Sequence, residues 1–364
     1  SALRDFGVKI IVKRDYFEVY GTGGKIKTPK KKIYVGNAGT TMRFLTSFAA
    51  FANGKVTITG DKRMIKRPIQ DLLHGLKKLG VNCISNSGYP PVSIENGNLI
   101  GGKIKLKGKK SSQYLSSILM VAPNAKNNVE IDIVNLTSKP YVDITIDVMK
   151  EFGIKVINKD YKKFVIKNNQ KYKAKNYGIE GDASSASYFF GAAAITKSKV
   201  KVRNINPKSV QGDIRFLDIL EKMGCKIKKG KNFIEVQGNY LRGVNVDMNN
   251  MPDTVQTLAV IACFAKGITR ITNIGNLRIK ETDRIKALST ELRKIGAEVK
   301  ELSNGLIIKP NKLHGAEIKT YDDHRMAMSF AIAGLNIKGI KIQNPSCVSK
   351  SFPEFWNKFE GLYK

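Results

Sequence analysis

The chain has 364 residues, with 63 Lys and Arg against 30 Asp and Glu, for a formal net charge of +33. That length exceeds one ordinary core and predicts two domains of about 180 residues each. No apolar run reaches the roughly 20 residues a membrane span needs, and SALRDFGVKI lacks the basic and apolar regions of a secretory signal, so a cytoplasmic protein is expected.

The four cysteines, Cys83, Cys225, Cys263 and Cys347, have no CxxC spacing, which argues against zinc sites and a disulfide framework and for reduced thiols. The basic charge is lysine spread through nearly every segment, without a nucleic-acid motif beside it. It reads as a solvated basic surface, and small anionic substrates are the other use of such a balance.

Along the chain one unit recurs. ALRDFGVKI, GLKKLGVNC, VMKEFGIKV, ILEKMGCKI and ELRKIGAEV each end an amphipathic helix with a glycine and continue as an alternating strand. The glycines, Gly7, Gly80, Gly153, Gly224 and Gly296, are 73, 73, 71 and 72 residues apart, and glycine just past a helix suits the left-handed C-cap. A second helix recurs in phase, apolar on nearly every face and therefore interior: GTTMRFLTSFAAF, SSQYLSSILMVAP, DASSASYFFGAAAI, PDTVQTLAVIACFA and HRMAMSFAIAGL. The expected fold is α/β, two domains built from repeated βαβαββ units. Residues 1–181 form the first domain, with an incomplete first repeat, and 182–364 the second, with an incomplete last repeat closed by Gly361. By the period, a complete chain would start about sixty residues earlier.

Small residues at helix N-termini let an anion approach unpaired N–H groups. GNAGTTMR (residues 36–43) is the clearest case, with Asn37, Gly39 and Thr40, and SSQ (Ser111, Ser112, Gln113) and DASS repeat the pattern. Arg67 precedes Pro68, a residue suited to a helix's first turn, and an arginine there can fork a phosphate or carboxylate. His324 and Arg325 open a buried helix that offers Arg325 no solvated face. Lys350 sits ahead of another helix start. In NLRIKETDRIKAL the stripe Ile285, Leu288, Leu292 and Ile295, run backwards, lands on Arg284 and Glu281, so both are expected inward while Asp283 and Lys286 stay exposed.

With these stretches assembled, the sequence resembles the enolpyruvyl transferase family, and within it the 5-enolpyruvylshikimate-3-phosphate synthases. GNAGTTMR, KRPIQDL, SSQYLSSILMVAP, SKPYVDITID, EGDASSASYFF, MPDTVQTLAV, NLRIKETDRIKAL, TYDDHRMAM and SKSFPEF carry the resemblance, in family order over nearly the whole chain. It implies a two-domain inverse α/β barrel-like fold of six repeats, the first truncated here, closing over shikimate 3-phosphate and phosphoenolpyruvate. It implies enolpyruvyl transfer between them in the shikimate pathway of aromatic amino acid biosynthesis, with no metal and no cofactor. By the resemblance, Ser111, Ser112, Ser138, Tyr141 and Asn276 hold shikimate 3-phosphate. Gly39, Arg67, Gln113, Arg284, Arg325 and Lys350 hold phosphoenolpyruvate, and Asn37 and Thr40 join the substrate-binding set. Asp253 accepts the proton of the 5-hydroxyl, Glu281 and Lys280 serve protonation of the enol methylene, and His324 completes the catalytic group.

The family's N-terminal lysine, serine and arginine motif has no counterpart in this sequence, so the chain alone is expected to turn over poorly unless a separate N-terminal fragment completes it. Phe44 stands where the family often has proline, which leaves sensitivity to glyphosate, the family's inhibitor, open. A monomer is expected, without membrane or nucleic-acid partners. The related UDP-N-acetylglucosamine enolpyruvyl transferases carry a cysteine shortly before the arginine-proline pair, and TGDKRMIK has none. The other alternative, a non-catalytic anion- or nucleic-acid-binding relative, would not need Asp253, Lys280, Glu281, Arg284, His324, Arg325 and Lys350 together.

Overall fold

A computed structural model describes residues 2–362. The chain divides into two compact units, Ser1–Tyr177 and Gly178–Lys364. Among the described residues no helix is long and apolar enough to cross a membrane.

In the first unit α1 (Ala2–Asp5) leads through Gly7 into the hairpin β1 (Lys9–Val12) and β2 (Phe17–Tyr20). A full repeat follows: β3 (Ile33–Tyr34), α2 (Gly39–Phe48), β4 (Val56–Thr59), α3 (Gln70–Lys78), β5 (Asn82–Asn86) and β6 (Tyr89–Asn96). The next comprises β7 (Gly102–Lys107), α4 (Gln113–Val121), β8 (Val129–Val134), α5 (Lys139–Glu151), β9 (Val156–Lys159) and β10 (Lys163–Ile166). In both, a parallel pair carries an antiparallel hairpin inserted back against its second strand, in the orders β3-β4-β6-β5 and β7-β8-β10-β9.

The second unit repeats the scheme. It opens with α6 (Ala183–Thr196), β11 (Lys199–Arg203), α7 (Phe216–Met223), β12 (Lys226–Lys229) and β13 (Phe233–Gln237), whose three strands lack only the leading parallel partner. Then come β14 (Asn245–Asp247), α8 (Val255–Ala262), β15 (Thr269–Thr272), α9 (Arg284–Lys294), β16 (Glu298–Leu302) and β17 (Gly305–Lys309), a complete four-stranded unit. Last are β18 (Glu317–Ile318), α10 (His324–Ala333), the parallel partner β19 (Lys341–Ile342), and α11 (Phe355–Glu360).

The five glycines that set the period all have positive φ, from 84° at Gly7 to 115° at Gly224, so each turns its helix into the next strand in a conformation costly for other residues. Gly361 differs: it stays right-handed at φ −63°. The all-apolar helices form the two cores, α2 against α4 in the first unit and α8 against α6 and α10 in the second. The α2–α4 and α6–α8 pairs each hide a matched hydroxyl contact, Ser47 Oγ to Ser117 Oγ and Ser187 Oγ to Thr257 Oγ1, both 3.0 Å, which satisfies these four interior hydroxyls. Packing interiors from these helices leaves their N-terminal ends to carry the charged side chains.

Candidate active site

In the first unit two guanidiniums converge on the start of α2. Arg43 and Arg67 are each 4 % exposed. A Cβ on Gly39 would stand 2.1 Å from Arg43 Nη1 and 2.6 Å from Arg67 Nη2, so any other residue would displace both guanidiniums from this arrangement. Arg67 donates from Nη1 to the Asn37 carbonyl and Oδ1, both at 3.1 Å. Arg43 donates to Gln113 Oε1 at 3.4 Å and lies over the Tyr114 ring at 5.9 Å. Gln113 Nε2 donates to Thr40 Oγ1 at 2.8 Å, and Tyr114 Oη to the Pro68 carbonyl at 2.6 Å, which binds α4 to both neighbouring segments. Burial raises the Tyr114 pKa and Arg43 opposes the rise, so the phenol stays a donor.

Pro68 is not in a first helical turn: α3 begins at Gln70, and Arg67 is extended at φ −92°, ψ 125°. Proline pushes the residue before it out of the helical region, and that extension carries Arg67 back to Asn37. Ser111 Oγ accepts from the Gln113 N–H at 3.2 Å, and Ser112 stands at the N-terminal boundary of α4 without a side-chain capping bond. Ser138, left-handed at φ 53°, immediately precedes α5, with Tyr141 one turn in, and α5 packs on α4.

In the second unit Arg284 is 1 % exposed and holds three carboxylates: Asp323 at 2.7 Å, Glu281 at 2.9 Å and Asp253 at 3.1 Å. Arg325 reaches the other Asp253 oxygen at 2.9 Å, the Asp253 carbonyl at 3.2 Å and Tyr188 Oη at 3.2 Å. Lys350 Nζ, at the end of the short helix Pro345–Lys350 and shortly ahead of α11, meets Glu281 Oε1 at 2.7 Å. Asp323 also caps α10 by accepting from the Arg325 N–H at 2.9 Å. Three cations thus face three carboxylates with water largely removed, where a lone charge would be costly.

The shifts follow from that packing. Burial alone would raise the Asp253 pKa, but Arg325, Lys280 and Arg284 together hold it well below the usual carboxylate range. Burial opposes the charge on Arg284, yet Asp323, Glu281 and Asp253 raise its pKa further. Lys350 is lowered by burial more than Glu281 restores. Burial, then Arg325, brings His324 down to about 3, and its Nδ1 lies 3.7 Å from Asp323 Oδ1, beyond hydrogen-bond reach.

The helical-face reading of Glu281 needs correction: α9 begins at Arg284, and Glu281 lies in the bend ahead of it. It turns inward through its bond to Arg284 instead. Asp283 is not simply exposed. It caps α9 through the Lys286 N–H at 3.1 Å and takes Arg278 at 2.9 Å. Asn276 stands in the short helix Gly275–Ile279 just upstream.

The structure brings Asn37, Gly39, Thr40, Arg67 and Gln113 together in the first unit, and Asp253, Glu281, Arg284, Arg325 and Lys350 in the second, with Lys280 and His324 close enough to act on or feel that charge. Sequence reasoning missed Arg43, Tyr114, Tyr188 and Asp323. The ground that singled out Arg325, an arginine on a helix without a solvated face, applies equally to Arg43.

The family profile of EPSP synthase (3-phosphoshikimate 1-carboxyvinyltransferase) matches residues 1–359. A 3-phosphoshikimate 1-carboxyvinyltransferase of Haemophilus influenzae (strain PittGG) is 46% identical over 376 residues, spanning 100% of this chain and 87% of that protein. One from Sulfurovum sp. (strain NBC37-1) is 45% identical over 370 residues, with the same coverage. The solved EPSP synthase of Acinetobacter baumannii superposes with a TM-score of 0.80 at 29% identity, over 99% of this chain and 85% of that one. Repeated α/β architecture, glycine-gated arginines and a carboxylate-arginine cluster therefore coincide with a match over nearly the whole chain: it belongs to the EPSP synthase family.

Proposed function

We propose that this chain transfers the enolpyruvyl group of phosphoenolpyruvate to the 5-hydroxyl of shikimate 3-phosphate, releasing phosphate. The observation that carries the reading is Asp253, a carboxylate with one oxygen on Arg284 and the other on Arg325. A base for the hydroxyl proton and cations for an anionic co-substrate then stand in direct contact.

In this reading Ser111, Ser112, Ser138, Tyr141 and Asn276 serve shikimate 3-phosphate. Gly39, Arg67, Gln113, Arg284, Arg325 and Lys350 serve phosphoenolpyruvate, with Asn37 and Thr40 in the substrate-binding set. Fixed guanidiniums offset the repulsion between two polyanions and stabilise charge at the reacting carbon. Asp253 takes the 5-hydroxyl proton as that oxygen bonds to C2 of the enolpyruvyl group, while Glu281, with Lys280 beside it, delivers a proton to the methylene. Phosphate leaves C2 as the methyl group returns a proton, which restores the enol ether. When Arg284 and Arg325 engage the co-substrate carboxylate they pull less on Asp253, which raises its proton affinity as substrate arrives. His324 takes part as a neutral imidazole, since its pKa of about 3 keeps it uncharged near neutrality.

The chain acts as a monomer in this proposal. Its partner is a polypeptide segment bearing the family's lysine, serine and arginine motif. Phosphate release from both substrates, with and without that segment, tests the reading. Release that needs shikimate 3-phosphate supports it, and equal release with a UDP-linked amino sugar in its place would count against it.

A further inference from the structure

Glu291, on α9, is a carboxylate with 0 % exposure that belongs to neither cluster. Its Oε1 accepts from Tyr321 Oη at 2.7 Å, and its Oε2 accepts from the Lys319 N–H at 3.0 Å and from Lys294 Nζ at 2.7 Å. The first two bonds hold the link between β18 and α10, and that link is strained. Tyr321 and Asp322 are consecutive non-glycine residues in the left-handed region, at φ 55° and 54°. Such a pair persists only where the surroundings overdetermine it. Asp322 is fixed from the other side by Asn344 Nδ2, and Asp323, next in sequence, donates its N–H to the Thr320 carbonyl at 2.9 Å.

The strained link is what delivers Asp323, His324 and Arg325. Arg284 lies two helical turns before Glu291 on α9 and is itself bonded to Asp323. Glu291 and Arg284 therefore fasten one helix to one link at two points, and on the same helix Thr290 adds a hydrogen bond to the Tyr321 hydroxyl while Glu291 alone of these holds both that hydroxyl and the Lys319 N–H. We infer that Glu291, acting through Tyr321 and the Lys319 N–H, is a positioning residue that sets where the Arg325 guanidinium stands relative to Asp253. The inference rests on the proposed function for what Arg325 binds.

The test compares Glu291→Gln, Tyr321→Phe and Lys294→Met by calorimetric titration of phosphoenolpyruvate in the presence of shikimate 3-phosphate, with phosphate release alongside. Glutamine keeps the shape but only one acceptor, so Glu291→Gln is expected to weaken phosphoenolpyruvate about tenfold, the worth of one charge-assisted hydrogen bond. Tyr321→Phe weakens it less, and shikimate 3-phosphate affinity stays within about twofold for both, which a general loss of structure would not spare. Lys294 reaches the buried Glu291 from the solvent side, its own side chain 41 % exposed, and does not touch the left-handed turn, so its replacement is expected to leave phosphoenolpyruvate affinity unchanged. Unchanged affinity in Tyr321→Phe and in folded Glu291→Gln overturns the inference, as does an equal effect from Lys294→Met. Should Glu291→Gln fail to fold, Tyr321→Phe carries the test alone. A parent chain that binds both ligands yet releases no phosphate even with the N-terminal segment supplied would sink the proposed reaction and leave this comparison readable; one that binds neither overturns both.

Discussion

The two clusters treat buried arginine in opposite ways. In the first unit Arg43 and Arg67 meet an amide, a carbonyl and an aromatic ring. In the second, Arg284 and Arg325 are saturated by Asp253, Glu281 and Asp323. A cation with neutral partners accepts an anion by adding it, whereas a cation with anionic partners must give one up. The first cluster is built to receive charge and the second to exchange it, and on this difference the proposed chemistry depends.

The sharpest way to break the contrast is Asp253→Asn. Loss of the base is expected to lower kcat about 10²–10⁴-fold. If Arg284 and Arg325 are traded between Asp253 and substrate, the same variant binds phosphoenolpyruvate about fivefold more tightly, the low end of usual coupling between two ligands of one site. Calorimetry on the folded variant reads this directly. Equal or weaker affinity would mean that the arginines serve both anions at once and nothing is exchanged.

Removing a cation from each cluster distinguishes them by stability. Arg284→Met leaves three carboxylates buried together and is expected to cost about 3–5 kcal/mol. Arg43→Met leaves behind only Gln113 Oε1 and the Tyr114 ring and costs about 1 kcal/mol or less. Urea denaturation monitored by circular dichroism checks both, and comparable losses would show that the neutral partners of Arg43 are as demanding as carboxylates.

The fold was legible because its repeat is written in residues with strict conformational meaning. Five glycines at a period near 72 marked the reversals, and five uniformly apolar helices marked the interiors, so the order of elements followed. The clusters were legible only in part. Arg284, Arg325 and Gln113 declared themselves by position at helix starts, and Arg67 by the proline that follows it. Asp323 and Glu291 did not, since a carboxylate beside a helix start or within an amphipathic helix reads as a cap or a solvated charge until a partner distant in sequence appears. Arg284 lies 39 residues from Asp323, and Tyr321 lies 30 from Glu291. Local periodicity carries no trace of such pairs. The misplacement of Glu281 has a related origin: its inward turn comes from an ion pair made outside the helix, while the face periodicity that suggested it begins only at Arg284.

A last expected effect concerns His324, the group of the second cluster that burial holds neutral despite Asp323 at 3.7 Å. Its folded-state pKa is about 3 against an ordinary 6.5, so between those values the unfolded chain binds a proton that the folded chain refuses. Stability is therefore fully present above pH 6.5 and falls as the pH drops, by up to about 1.4 kcal/mol per pH unit from this group. The depressed Asp253 pKa acts in the same direction, but only below about pH 4, where an unfolded aspartate begins to take up protons. The interval from pH 6.5 to about 4.5 isolates the histidine. There His324→Asn should flatten the decline in urea midpoint seen in the parent chain, and an unchanged slope would mean that the imidazole is charged in the fold after all, making the second cluster more cationic than its ion pairs imply.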